Sequence, residues 1–110
     1  GMEITLTADV PSELPVRLDL FAYRIVQEAL TNVLKHGGVA AMADVRLEEA
    51  DGHLEIEVRD TGMGKTTLLG SGQGIVGMRE RAALLGGSFE ARPRLEVGFR
   101  VMAKLPIGDQ

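Results

Sequence analysis

Four polar residues in one stretch of the sequence, Glu28, Asn32, Lys35 and His36, have a spacing that places them on one face of a helix. The oxygen of an asparagine is a hard ligand suited to Mg²⁺, and a glutamate can orient or deprotonate a nucleophile. The same spacing is also typical of a solvated helix surface, which is the commoner role of a single charged residue. The four residues are therefore a candidate ligand-binding face, and both interpretations stay open on the spacing alone.

A second candidate lies between Asp60 and Gly64, where a strand pattern ends. An aspartate at that point can accept a hydrogen bond from an amino group such as that of a purine. Gly62 and Gly64 allow the backbone to approach a ligand closely. The alternative is a loop acid followed by turn glycines.

A third candidate is the segment from Gly72 to Gly77, with the sequence GQGIVG, at the start of a helical pattern. Unpaired amides at a helix N-terminus form an anion site when no side chain blocks them, so phosphate is the predicted ligand. The alternative is a flexible hinge with Gly77 packed against the sheet.

Two better-known motifs match only in part, and we exclude both. The segment from Gly64 to Thr66 imitates the end of a P-loop, but the first glycine of that motif falls on Arg59, and the later glycines leave no room for its helix. Residues 72–77 match the dinucleotide fingerprint GxGxxG, but no strand pattern comes directly before them.

Hydrophobic spacing predicts the elements that must position these candidates, beginning with a strand and a helix. Residues 3–8 alternate, which predicts a half-buried strand with Ile4, Leu6 and Ala8 on one side. Residues 16–36 carry apolar side chains, Leu34 included, at three- and four-residue spacing, which predicts a long amphipathic helix.

The rest of the chain predicts a hairpin, a loop, a second helix and two closing strands. The hairpin consists of residues 45–49 and 53–60 around Asp51-Gly52. Six glycines between Thr61 and Gly77 predict a loop. The remaining elements are a helix from Ile75 to Leu85 and strands over 89–92 and 97–105. This order predicts an α+β fold, a two-layer α/β sandwich with a mixed, mostly antiparallel sheet and helices on one face.

Length and composition limit the classes of protein. The chain has 110 residues, 45% of them hydrophobic, and no cysteine, which predicts one globular domain over residues 3–110 without disulfides. The net charge of −4 argues against direct nucleic-acid binding through a basic surface. The apolar runs are far shorter than the roughly 20 residues that cross a bilayer. We interpret Gly1-Met2 as an expression scar on a fragment of a longer protein.

As a set, the three candidates resemble the ATP-binding domain shared by gyrase, Hsp90, histidine kinases and MutL, which has the Bergerat fold. Residues 27–36 (QEALTNVLKH) are similar to its N box, and residues 58–64 (VRDTGMG) to its first glycine box. The run over 74–87 (GIVGMRERAALLGG) is similar to sensor histidine kinases of the NarL/DesK type. The resemblance covers residues 16–106.

The resemblance implies that the domain binds ATP with Mg²⁺ and delivers the γ-phosphoryl group to a histidine on a separate dimerisation domain. By position, Asp60 would hold the adenine amino group, Asn32 would bind Mg²⁺, and Glu28 would polarise the acceptor histidine. Lys35 and His36 would approach the phosphates. Gly62 and Gly64 would shape the adenine wall. Gly72 and Gly74 would offer backbone amides to the phosphates, and Gly77 is also implied to bind ATP.

Other implied features concern the lid and the histidines. Residues 65–71 would form a short ATP lid, and we hypothesise that its leucines, Leu68 and Leu69, pack on the phosphoacceptor domain. His36 falls in the N box and His53 in a hairpin turn, so neither is expected to be the phosphorylated histidine.

The last strand departs from the family pattern. Many relatives carry Gly-Thr at its start, whereas here Phe99 follows Gly98, which puts a threonine contact in doubt and predicts a more apolar adenine wall.

Three functions fit these observations. The first is the catalytic domain of a two-component sensor kinase, whose partners are the phosphoacceptor domain of the same parent and a response regulator. The second is an anti-sigma factor serine kinase of the same fold, and the third a non-catalytic nucleotide sensor. The short lid and residues 77–81 favour the first. We expect a monomeric fragment of a homodimeric parent in the cytoplasm, with anchoring of the parent to the inner membrane left open.

Overall fold

The structure, a computed structural model, describes residues 3–11, 13–36, 42–62, 72–95 and 97–108. Within these ranges the strands are β1 (Glu3–Asp9), β2 (Met42–Ala50), β3 (His53–Asp60), β4 (Ser88–Pro93) and β5 (Phe99–Pro106). The helices are α1 (Val16–His36) and α2 (Gly72–Leu84).

The strands form a mixed sheet in the order β1-β2-β3-β5-β4. β1 and β2 pair in parallel across the connection that contains α1, and the other neighbouring strands pair antiparallel. α1 packs against β2 and β3, while α2 packs against β4, β5 and α1. The predicted α+β fold, a mostly antiparallel sheet with a layer of helices on it, is confirmed.

The core lies between α1, α2 and the sheet. One stripe of α1 is buried at the spacing of a helix face: Leu18, Ala22, Ile25, Ala29 and Val33. These residues meet the alternate side chains of β3, among which Leu54 and Ile56 are at most 1% exposed. Burying each such large side chain contributes about 1.5–3 kcal/mol. The spacing placed Leu34 in the same stripe, but it is exposed, because it points about 100° around the helix from its buried neighbour Val33.

β1 forms where the alternation predicts it, but the prediction that it is half-buried was wrong. All its residues are exposed, including Leu6 at 65%. Its register sets Ile4 opposite Ala43 and Leu6 opposite Val45, both of which are buried. β1 is the edge strand, and α1 covers β2 and β3 instead, so the apolar face of β1 has no helix over it among the described residues.

The second helix begins earlier than the spacing predicts. α2 starts at Gly72, inside the stretch interpreted as loop. Glycine is tolerated in a first helical turn, where the amides have no intrahelical partner and no large side chain is needed for packing. At its other end the Gly87 amide donates to the Ala82 carbonyl at 2.8 Å and the Gly86 amide to that of Ala83 at 2.9 Å. Gly86 has φ +78°, so this is a Schellman cap.

Two hairpins, β2-β3 and β4-β5, have residues suited to their positions. Asp51 and Gly52 both have positive φ, at 53° and 76°, as a two-residue type I′ turn requires, and the predicted hairpin is confirmed. β4 and β5 pair from Ser88 opposite Lys104 to Pro93 opposite Phe99. Pro93 is tolerated there because β4 is the other edge of the sheet.

Candidate functional site

The first part of the candidate site is the contact between α1 and the first turn of α2. Glu28 and Asn32 lie one turn apart on α1, and both are partly buried. A Cβ built on Gly74 would lie 3.1 Å from Glu28 Oε1 and 3.3 Å from both amide atoms of Asn32. Glycine at this position therefore leaves room for the ends of the Glu28 and Asn32 side chains, which an added methyl group would have to displace. The structure thus brings together three residues that are 46 positions apart at most in the sequence.

The amide of Asn32 is the most unusual group in this contact. Its Nδ2 atom is buried and has no hydrogen-bond partner among the residues that the structure describes. A buried polar group without a partner costs about 1–3 kcal/mol, and native proteins keep such groups mainly where a ligand or water satisfies them. Rotation of the amide by 180° presents its oxygen at the same place, and that oxygen fits Mg²⁺.

The second part of the site is at the end of β3. Side chains alternate along a strand, so Asp60 lies on the same, helix-facing side of the sheet as the buried Val58 two residues earlier. The Gly62 amide donates to Asp60 Oδ1 at 2.7 Å, and the Phe99 amide lies near enough to lower the pKa of this carboxylate. Burial raises the pKa of Asp60, and these two amides and the Arg94 guanidinium oppose that rise. A half-buried carboxylate held by backbone amides is a fixed acceptor for a ligand amino group.

The other predicted ligand residues occupy several positions. Lys35 is exposed in the last turn of α1, and His36 is its final residue. Gly72 begins α2 and Gly74 is in its first turn, where amides are free of intrahelical bonds. Gly77 is one turn further on, and among the described residues a Cβ there would meet only Arg81 Nη1, at 3.1 Å. Within the described ranges, no contact with the sheet therefore requires a glycine at position 77, as the alternative interpretation suggested.

Some predictions fall on residues outside the described ranges. They are Gly64 and the lid over residues 65–71, with its leucines, Leu68 and Leu69. His53 is described: it lies in the hairpin, and its Nδ1 is 3.0 Å from the Asp51 carbonyl oxygen.

Sequence reasoning missed the contacts that hold the end of β3. The Arg94 guanidinium donates from Nη1 to the backbone oxygen of Asp60 at 2.7 Å. On the other side, the Thr61 amide donates to the Met42 carbonyl, and the Met42 amide donates to Thr61 Oγ1, both at 3.0 Å. These contacts join residues far apart in the chain, and no local pattern in the sequence announces them.

Sequence reasoning also missed an ion-pair cluster on the sheet face away from the helices. Glu57 is only 6% exposed, and its two carboxylate oxygens accept from Arg46 and Arg100. Burial by itself raises the pKa of Glu57, but the bonds from both arginines outweigh it and hold the pKa below its ordinary value. The alternation of β3 could have placed Glu57 on this face, but not its partners on β2 and β5.

Comparison with known families identifies the class to which this fold and site belong. The family described as "Histidine kinase-, DNA gyrase B-, and HSP90-like ATPase" matches residues 18–109. The chain belongs to this family. The resemblance predicted from the three motifs is confirmed at this level.

Curated relatives narrow the class. The chain is 34% identical over 109 residues to the sensor histidine kinase YxjM of Bacillus subtilis, covering 97% of this chain and 26% of the relative. It is 35% identical over 95 residues to the oxygen sensor histidine kinase NreB of Staphylococcus carnosus, covering 84% of this chain and 27% of the relative. These relatives agree with the predicted resemblance to sensor histidine kinases. The chain spans about a quarter of the length of the relatives that it matches.

Solved structures show the same fold. The histidine kinase domain of the blue-light activated kinase of Erythrobacter litoralis superimposes with a TM-score of 0.80 at 23% identity, covering 96% of this chain and 52% of that one. Full-length ShkA in complex with AMPPNP superimposes with a TM-score of 0.75 at 20% identity, covering 96% of this chain and 26% of that one. In the described part of the present chain, neither helix is long and apolar enough to cross a membrane.

Proposed function

We propose that this chain is the ATP-binding catalytic domain of a two-component sensor histidine kinase. Its reaction would transfer the γ-phosphoryl group of ATP to a histidine on the dimerisation domain of the same parent. The observation that carries the proposal is the pair of positioned polar groups, Asp60 at the end of β3 and Asn32 beside Gly74. The curated relatives, which are named sensor histidine kinases, favour this function over an anti-sigma factor kinase.

The adenine end of the proposed site depends on Asp60. Because the Gly62 amide already holds Oδ1 of its carboxylate, the remaining acceptor capacity has a fixed direction. An adenine amino group is a matching donor. Phe99, partly buried and packed against the core, supplies apolar surface next to this acceptor.

The phosphate end depends on α1 and the first turn of α2. Asn32 would hold Mg²⁺ through its amide oxygen, and the amides of Gly72 and Gly74 would bind phosphate oxygens. Lys35, which is exposed one turn after Asn32, adds a cation within reach of the same region. Bound Mg²⁺ would neutralise charge that develops during phosphoryl transfer, a reaction in which positioning and charge neutralisation provide most of the catalysis.

Glu28 would act as the acid–base group. It contacts the same glycine as Asn32, so its carboxylate and the proposed metal ligand lie together at the contact between α1 and α2. A carboxylate there can accept the imidazole N–H of a docked histidine and raise the nucleophilicity of the other ring nitrogen.

Two partners and a compartment belong to the proposal. The phosphoacceptor histidine would come from the dimerisation domain of the parent, a homodimer, and the phosphoryl group would then pass to a response regulator. The parent would present this domain to the cytoplasm, where ATP is available.

Calorimetry of ATP binding, with and without Mg²⁺, tests the adenine site. We expect the wild-type chain to bind ATP and Asp60→Asn to bind it about tenfold to a hundredfold more weakly, because a hydrogen bond to a charged acceptor is worth about 1.5–3 kcal/mol. Asp51→Asn, in the exposed hairpin turn, is the matched control. Equal affinities of wild type and Asp60→Asn would refute the adenine site.

A further inference from the structure

We propose that Arg94 is a positioning residue for the nucleotide site, acting through the backbone of Asp60. This inference rests on the proposed function, in which the Asp60 carboxylate receives the adenine amino group. Arg94 would set the position of that carboxylate without contacting the nucleotide itself.

Arg94 joins the turn between β4 and β5 to the end of β3. Its Nη1 donates to the Asp60 carbonyl oxygen at 2.7 Å across a separation of 34 residues. Its own amide donates to the Gly98 carbonyl at 3.0 Å, which closes the turn on itself. The guanidinium is therefore attached to a short, closed hairpin and not to a free loop.

Gly98 allows this hairpin to touch Asp60 directly. It has φ +90°, and a Cβ built on it would lie 1.8 Å from the Asp60 carbonyl oxygen and 3.1 Å from Thr61 Cα. No side chain fits at that distance, so the backbone of the turn packs on the backbone of Asp60. The carbonyl that Arg94 binds is the same atom that Gly98 approaches.

The hairpin also holds the other end of Asp60. The amide of Phe99, the next residue after Gly98, lies near the Asp60 carboxylate and lowers its pKa. On the opposite edge of β3, Thr61 is bonded to Met42 of β2 in both directions. The aspartate is thus fixed from two neighbouring strands, and Arg94 is the side chain that ties its main chain to one of them.

Arg94 lies on the back of the sheet relative to the proposed ligand. It lines an open cavity of about 430 Å³ together with Glu57 and Arg100, which are on the face away from the helices. The Asp60 side chain, by the alternation of β3, is on the helix-facing side with Val58. This separation distinguishes a positioning role from direct contact with the base.

The test compares two nucleotides that differ only at the adenine amino group, ATP and purine riboside triphosphate. We expect Arg94→Met to weaken ATP binding about fivefold to fiftyfold, as coupled neighbouring residues do, and to weaken binding of the analogue much less. Arg94→Lys keeps a cationic donor and should recover part of the ATP affinity. Arg92→Met is the matched control, since Arg92 is an exposed arginine two residues earlier, paired with Glu90.

The outcomes separate the two proposals. Failure of the folded wild-type chain to bind ATP would overturn the proposed function, and the inference with it. ATP binding that is equal in wild type and Arg94→Met, or weakened equally for both nucleotides, would overturn the inference alone. If circular dichroism shows that Arg94→Met is unfolded, Arg94→Gln replaces it in the same comparison.

Discussion

Glu28 and Asn32 have different chemistry although they share one helix face and one glycine neighbour. The Asn32 amide is buried with a nitrogen that has no partner among the described residues, whereas the Glu28 carboxylate is partly exposed at the same contact. An amide does not ionise at neutral pH, so its oxygen can hold a metal but the group cannot act as a base. A carboxylate can do both, and its position toward solvent leaves it accessible to a docking partner.

We therefore expect Glu28→Gln to separate phosphotransfer from binding. Loss of a positioned acid–base group costs about a hundredfold to ten-thousandfold in rate. In the proposed parent kinase, phosphorylation of the acceptor histidine should fall by this order while the affinity for ATP is kept. Glu49→Gln, at an exposed position of β2, is the control. Phosphorylation at the wild-type rate in the Glu28→Gln parent kinase would exclude this role.

At the scale of elements, the first turn of α2 places Gly74 against two side chains of α1. Gly74 meets the ends of Glu28 and Asn32 and not their backbones, so an added methyl group would displace flexible side chains and leave the helix packing in place. In a helix, alanine is intrinsically more stable than glycine by up to about 1 kcal/mol. Displacement of the two side chains should change the affinity for the ligand, whereas the higher helix propensity of alanine should change the stability of the fold.

Gly74→Ala is expected to lower the affinity for ATP without lowering the melting temperature. Displacing the two side chains by the overlap of one methyl group should cost about 1–2 kcal/mol, or about fivefold to thirtyfold in affinity. Calorimetry and thermal unfolding of the same sample measure both quantities. Val76→Ala, an exposed position in the same helix, controls for changes in helix propensity. An affinity that does not change would show that this contact is not part of the site.

At the scale of the whole molecule, the helices cover one face of the sheet and the ion pairs of Glu57 organise the other. Arg46 comes from β2 and Arg100 from β5, so the carboxylate on β3 links three adjacent strands. The arginine side chains are 38% and 32% exposed, against 8% for that of Glu57. Solvent weakens the attraction at the arginines, but the buried carboxylate depends on both of them.

Glu57→Gln should destabilise the fold in a manner that depends on pH. Loss of the charge that holds two partly exposed arginines should cost about 1–3 kcal/mol at pH 7. Because the pKa of Glu57 is lowered in the folded chain, its ionised form stabilises the fold above the ordinary pKa of 4.5, and this stability is lost as the pH falls through the folded pKa.

Urea unfolding of both proteins between pH 3 and pH 7 measures this difference. The gap in unfolding free energy between wild type and Glu57→Gln should be largest at pH 7 and should shrink below about pH 4. Glu55→Gln, on the same strand and the same face, is the control. A gap that stays constant with pH would mean that the ion pairs do not stabilise the sheet.

The sequence by itself determined the elements and the class of fold. The spacing of apolar residues specified α1 over Val16–His36, and Asp51-Gly52 specified the hairpin. These features follow from interactions within a few residues, so they can be derived from local patterns. The motif set also gave the family correctly, because the identity and order of Asn32, Asp60 and Gly74 do not depend on knowing the contacts between them.

Only the tertiary structure decided which surfaces are covered and which distant residues meet. Alternation in β1 predicted a buried face, but burial depends on where α1 crosses the sheet, which local spacing does not encode. The contact of Arg94 with Asp60, and the approach of Gly74 to Glu28, each join segments separated by more than 30 residues. Such contacts follow from the strand order and from how closely glycines allow backbones to approach, and both exist only once the chain has folded.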